Sequence, residues 1–232
     1  MSFRYDFSAQ ETEACARFAA LRYAQSGNYY KQRHSKQNKV QADTTNGTLG
    51  EIAAQRALVQ QFGDHAIVSE VDFTLYEGKQ KSWNPDLYVT FRGYETHPPV
   101  RVQVKMHVCN RYKGTMPKSF MFQKPGTGAH EDKHLADIKV GGDSTDWFMG
   151  VLGYVKDESK LSWDGTVRND AVADFGVVVG PYPLQSIVDA NIWRAPEAPT
   201  LKEKQCKKQC LWLRDLEERI PKIAGLKKSK RF

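Results

Sequence analysis

No stretch of the 232-residue chain approaches 18 consecutive apolar residues, so no membrane-spanning helix is expected. The opening segment MSFRYDFSAQETEA carries acids where a secretory signal needs a basic and then an apolar run. Cysteine is scarce: the four, at positions 15, 109, 206 and 210, are too few and too scattered for a disulfide scaffold. A reducing, cytoplasmic setting is therefore expected, whether the source is a cell or a phage. Cys206 and Cys210 lack the second pair that a structural zinc site wants. The GTG of KPGTGAHEDKH is not followed by GK[ST] and has no strand-loop-helix context, which excludes a phosphate loop. Internal repeats are missing, which excludes a solenoid or propeller. No fused helicase, methylase or recognition domain is visible.

What is present is a globular composition, 40% apolar and 11% aromatic, enough to bury a real core. The net charge is +7, and residues 201–232 alone hold eleven Lys/Arg against four Asp/Glu, equal to the whole excess. Two further stretches contain no acid at all. One runs from Arg17 to Lys39, the other from Arg101 to Lys124. Clustered positive charge of this kind is the footprint of a polyanion binder, and nucleic acid is the expected partner.

Periodicity predicts a helix over 8–25, opened by a Ser8/Glu11 capping box, and a second from about Leu49 to Phe62, stopped by Gly63. The polar segment 26–47 reads as a loop or arm. Strands are expected at 66–73, 83–91, 100–108, 146–155 and 173–184. Residues 110–145 read as loop-rich, 189–199 as a linker, and 200–220 as a terminal helix with Trp212, Leu213, Leu216 and Ile220 on one face. This order gives an α/β or α+β fold with a mixed sheet.

The strand RVQVKMHVC alternates strictly, with Val102, Val104 and Met106 on one face and Gln103, Lys105 and His107 on the other. If it pairs with NPDLYVTF as a hairpin centred near residues 95–96, Asp86 stands opposite Lys105 with Gln103 diagonal to it. A carboxylate, an amide and an ammonium would then share a face that helices should cover. Oxygen ligands of this type suit a hard cation such as Mg²⁺, and a nearby lysine can orient water or offset phosphate charge.

The sequence Asn84-Pro85-Asp86, then Gln103-Val104-Lys105, with Gly47-x-x-Gly50-Glu51 upstream on a helix, resembles the PD-(D/E)XK nuclease superfamily. The likeness covers residues 45–155. It implies a restriction-endonuclease-like mixed central β-sheet flanked by helices, within a nuclease domain over 1–199 that is followed by a basic helix and tail at 200–232. It implies a metal-dependent DNA endonuclease of restriction, phage or recombination type that hydrolyses phosphodiester bonds through activated water. Glu51, Asp86, Gln103 and Lys105 would be catalytic. Asp86, Glu51, Gln103 and the Val104 carbonyl would hold Mg²⁺, with Mn²⁺ as a substitute. Lys105 would position the attacking water. Gln103 stands where most members carry Asp or Glu, which removes one negative charge from the site. Thr48 and Glu51 also spell a capping box, an alternative use for Glu51. Asp72 is set aside, since acids at strand ends are common.

Tyr30, Arg33 and Lys36 before the second helix, and Arg111, Lys113, Lys118 and Lys124 after the Lys105 strand, mix basic and aromatic groups as nucleic-acid contacts do. His107 joins them as a phosphate contact, with an ordinary surface histidine as the competing use. Double-stranded or branched DNA is the expected partner, with a homodimer if both strands are cut. A Holliday-junction resolvase, an exonuclease, a non-catalytic DNA binder on a degenerate nuclease fold, and a plain interaction protein are the alternatives.

Overall fold

A computed structural model of the chain describes residues 3–31, 37–75, 85–109, 119–123, 146–162, 167–192 and 208–223. Helix α1 (Ala9–Lys31) opens on the expected capping box. The Glu11 N–H donates to Ser8 Oγ at 3.2 Å, and the Ser8 N–H donates back to Glu11 Oε2 at 2.9 Å. Helix α2 (Gln37–Phe62) packs along α1 and ends where Gly63 takes φ 53°, the stop expected there.

Much of the segment expected to be a loop is therefore helical, because α1 runs on to Lys31 and α2 starts twelve residues before Leu49. The polar residues that suggested a loop are satisfied internally. The hydroxyls of Thr44, Thr45 and Thr48 donate to the carbonyls of Val40, Gln41 and Thr44 at 2.9, 2.8 and 3.1 Å. Buried Asn46 donates to the Ala171 carbonyl at 3.0 Å and accepts from the Ala173 N–H at 2.9 Å, tying α2 to a distant loop.

A six-stranded mixed sheet follows the order β1 (Phe3–Asp6), β7 (Phe175–Pro183), β6 (Trp147–Tyr154), β4 (Val100–Val108), β3 (Leu87–Phe91), β2 (Ala66–Val68). Only β4 and β6 are parallel; the other neighbours are antiparallel. A separate ribbon pairs β5 (Ser119–Gln123) with β8 (Lys208–Trp212). Short helices α3 (Leu184–Ala190) and α4 (Leu213–Arg219) and two 3-10 turns, Gly63–His65 and Glu158–Lys160, complete the described elements. The mixed α/β class expected from the sequence is present. Among the described residues, no helix is long and apolar enough to cross a membrane.

The sheet is buried on both sides. Ala53, Ala54, Ala57, Leu58 and Phe62 of α2 pack on Leu87, Val89, Val102, Val104, Met149 and Val151. The reverse face sends Phe148, Leu152 and Val179 against Phe120, Leu184, Ile187, Leu211 and Leu216. Arg101 makes a two-point ion pair with buried Asp146, at 2.9 and 2.7 Å, clamping the starts of the parallel strands β4 and β6 together.

Three expectations change. The strand at 66–73 shortens to Ala66–Val68, because the Tyr88 N–H donates to Ser69 Oγ at 3.0 Å while the Ser69 carbonyl accepts from Gln55, which ends the backbone ladder there. Of the terminal helix expected at 200–220, residues 200–207 lie outside the described residues, Lys208–Trp212 form β8, where pairing with β5 overrides the helical period, and Leu213–Arg219 are helical as expected. Residues 119–123 form a strand inside the stretch read as loop.

Gly50 packs against β4 so closely that a Cβ there would lie 2.8 Å from Met106 Cβ, whereas Gly47, one turn earlier, has open space. Gly47→Ala should therefore raise stability by about 0.5–1 kcal/mol through helix propensity. Gly50→Val should lower it by about 1–3 kcal/mol through overpacking. Urea unfolding midpoints, read with unchanged slope, check both signs.

Candidate functional site

Strands β3 and β4 pair antiparallel as expected, but in a register two residues from the expected one. Leu87 faces Val102 and Val89 faces Val100. The chain turns immediately after β3, where the Tyr94 N–H donates to the Phe91 carbonyl at 3.1 Å and Gly93 takes φ 83°. An even shift preserves the faces, so the apolar set stays in the core. It does change the partner: continuing the ladder sets Asp86 opposite Gln103, not Lys105. The face is also different from expectation. The long helices cover the apolar side, whereas Gln103 and Lys105 align with Phe148 and Gly150, the surface on which Phe120 packs.

Among the described residues, β3 pairing ends at Leu87, and β4 beyond Val102 has no further strand neighbour on that side. In an extended strand the N–H and C=O of one residue point to the same side, so Val104 offers both groups to that edge. Asp86 turns its carboxylate into the gap. Its Oδ2 accepts the Val104 N–H at 2.6 Å and the Gln103 Nε2–H at 2.6 Å. Gln103 is 8% exposed, one of the few buried polar side chains, and its Nε2 also lies 3.5 Å from the Val104 carbonyl oxygen.

Glu51 lies in the middle of α2, and Thr48 bonds to Thr44 one turn back, so the capping-box alternative does not apply. It follows Gly50, the point where the helix backbone meets Met106 of β4. Burial first, and then the nearby Asp86 carboxylate, push the Glu51 carboxyl well above its ordinary range. Asp72 adds to this rise, while Arg22 of α1 and Lys105 oppose it. The structure thus brings Glu51, Asp86 and Lys105 into one electrostatic cluster, with Gln103 and Val104 bonded to its central carboxylate.

Two members were missed by sequence reasoning. Asp72 was set aside as an ordinary strand-end acid. Arg22 sits one helical turn after Phe18, whose ring meets Phe73 at 5.4 Å, edge to face, and that contact carries α1 over the segment containing Asp72. A helical Arg four residues from a buried Phe was the available signal. Gln55, one turn beyond Glu51, donates to the Ser69 carbonyl at 3.3 Å and to Glu70 at 3.1 Å, which fixes the same segment.

Among the described residues no group of three His, Cys, Asp or Glu side chains is placed to hold a metal. The donor set nevertheless fits a hard cation that keeps several waters. Such an ion needs one or two carboxylates plus a carbonyl, and two carboxylates crowded in a half-buried site are the charge a dication would relieve.

The basic residues divide. Arg33, Lys36, Arg111, Lys113, Lys118 and Lys124 lie outside the described residues, as does the side chain of Tyr30 in the last turn of α1. His107 is half-buried in β4, and desolvation lowers its pKa, so near neutral pH it offers an uncharged ring rather than a phosphate-seeking cation. Arg101, which opened one acid-free run, is committed to Asp146. The chain matches no family model, no curated protein and no solved structure.

A carboxyl whose pKa is raised by folding binds its proton more tightly in the native state. Its penalty is nil at acidic pH and grows as pH rises from the ordinary carboxylate range through the raised value. Glu51→Gln should therefore raise the melting temperature at pH 7.5 by several degrees, at about 2–4 °C per kcal/mol for a chain of this size. The gain should vanish near pH 4, as thermal scans across pH would show.

Proposed function

We propose that this protein is a divalent-cation-dependent DNA nuclease of the PD-(D/E)XK, restriction-endonuclease-like type. One observation carries the reading: just past the end of β3, Asp86 Oδ2 accepts the Gln103 Nε2–H and the Val104 N–H at 2.6 Å each, with buried Glu51 close enough for Asp86 to raise its pKa and Lys105 to oppose the rise. That is the set the sequence motif singled out, assembled from a helix, a strand end and a strand interior. The mixed sheet flanked by helices is consistent with it.

In this reading Asp86 and Glu51 hold Mg²⁺ or Mn²⁺ together with the Val104 carbonyl. The cation supplies charge neutralisation at the scissile phosphate and a lower pKa for water. Lys105, a compact ammonium on the same edge, orients the attacking water and offsets the negative charge that develops on phosphorus. Glu51 and Asp86 set the local charge so that a phosphodiester binds productively only when a cation is present. Phe120 packs over Gly150, the residue of β6 that stands beside Lys105 in the sheet. The basic segments flanking α2 and β4 grip the DNA backbone, a contact that carries position but no sequence information. Cutting both strands calls for two copies of the chain.

A second reading is favoured by one feature. The Gln103–Asp86 bond satisfies the site with no cation at all, as expected of a non-catalytic DNA binder on a degenerate nuclease fold. The two readings separate in one assay. Purified protein should cleave linear or branched duplex DNA with Mg²⁺ or Mn²⁺ and stop with a chelator. Asp86→Asn and Lys105→Ala should each lower the rate by about a hundred- to a thousandfold, while DNA affinity by gel shift stays within about threefold. Salt-sensitive DNA binding with no cleavage under any cation would establish the second reading instead.

A further inference from the structure

The Gln103 amide has a position that the proposed nuclease chemistry leaves unexplained. Its Nε2 bonds Asp86 Oδ2 at 2.6 Å and lies 3.5 Å from the Val104 carbonyl oxygen. Those two acceptors are the same atoms assigned above to a cation. The identity of the facing atom follows from chemistry: an amide oxygen 2.6 Å from a carboxylate oxygen would be repelled, so the NH₂ group faces Asp86. A primary amide hydrogen pair is thus the positive group between a carboxylate and a carbonyl. The side chain is almost fully buried and its backbone is fixed in the centre of β4, so it has little room to leave.

We propose that Gln103 is a latch for the cation site. Without a cation, its NH₂ stands in for one and holds Asp86 and the Val104 carbonyl in place. When a divalent cation enters, the amide turns over about its Cγ–Cδ bond, so that Oε1 replaces Nε2 and faces the ion. The two states contain the same atoms in nearly the same place, and the cation selects one because only an oxygen can face it favourably. An ionised carboxylate at position 103 could not act in this way, since it has no N–H to give Asp86. The substitution of Gln for the acid that the motif usually carries thereby gains a role. It lowers cation affinity and leaves the unloaded site hydrogen-bonded.

This inference rests on the cation-dependent reading, and the test separates the two. The side-chain amide of Gln103 is assigned in ¹H–¹⁵N spectra of the full-length protein as the pair lost in Gln103→Glu, and Mg²⁺ is then titrated into the wild type. The latch predicts that the Gln103 NH₂ pair shifts and exchanges faster with water, saturating together with backbone signals around Glu51. If those backbone signals saturate while the Gln103 pair stays in place, the latch is wrong and the cation site stands. If nothing near Glu51, Asp86 or Lys105 responds to Mg²⁺, the cation reading falls and takes the latch with it. A second measurement uses Gln103→Glu directly. Without Mg²⁺ it should melt below wild type at pH 7.5. With Mg²⁺ it should bind about tenfold more tightly by calorimetry, as expected for one added ligand charge, and the melting difference should close. A deficit that persists at saturating Mg²⁺ assigns Gln103 a purely structural role and overturns the proposal.

Discussion

Asp86 Oδ2 is the acceptor on which the site depends. Among the described residues β3 stops pairing at Leu87, and a strand that loses its neighbour leaves polar groups along its edge. The Asp86 carboxylate takes up that deficit by accepting the Val104 N–H. The same bond that closes the edge therefore places a negative charge beside the Val104 carbonyl and the Lys105 strand. Structure and chemistry share one atom, and the edge could not be completed by an apolar residue without losing both.

The surrounding architecture controls how close other charges come to that atom. Gly50 lets α2 approach β4 to contact distance at Met106, and Glu51 follows it directly. Gln55 then fixes the Ser69–Glu70 segment one turn further along the helix, and Phe18 against Phe73 brings α1 with Arg22 over the same place. Three carboxylates and two cationic side chains are thereby concentrated at one end of the sheet. The opposite end of β4 is held by the Arg101–Asp146 pair, a half-buried ion pair that helps fix the parallel register and so the positions of Gln103 and Lys105 relative to β6. The two ends differ in kind. One is fully neutralised within itself, and the other keeps a carboxyl strained by its neighbours.

The sequence made the site residues more legible than their surroundings. Strict alternation in β4 set its limits at 100–108 and its two faces, because a two-residue period survives any even error in register. The register itself depended on the turn after Phe91, whose tightness comes from a backbone angle at Gly93 that composition does not reveal. The first half of α2 was hidden for a different reason. Its threonines and Asn46 satisfy themselves by hydrogen bonds back along the helix or to a loop far away in sequence, so no apolar stripe announces them. β8 was misread as helix because its partner β5 lies about ninety residues earlier, and local periodicity carries no trace of such pairing. Asp72 and Arg22 joined the cluster through tertiary packing alone.

The sheet also has a marked asymmetry in sequence distance. α2, β2, β3 and β4 are consecutive, so the elements holding Glu51, Asp86 and Lys105 assemble from one continuous stretch with short loop-closure distances. β1, by contrast, pairs with β7, so Phe3 meets Val178 across most of the described chain. During synthesis the first strand waits on its own until the last strand of the sheet emerges. The half that holds Glu51, Asp86 and Lys105 is thus a local unit, while β6, β7 and β1 close the sheet through contacts of high contact order. Until that closure occurs, both the first strand and the β6-facing side of β4 lack their partners and stand open to other chains, which favours aggregation at that stage.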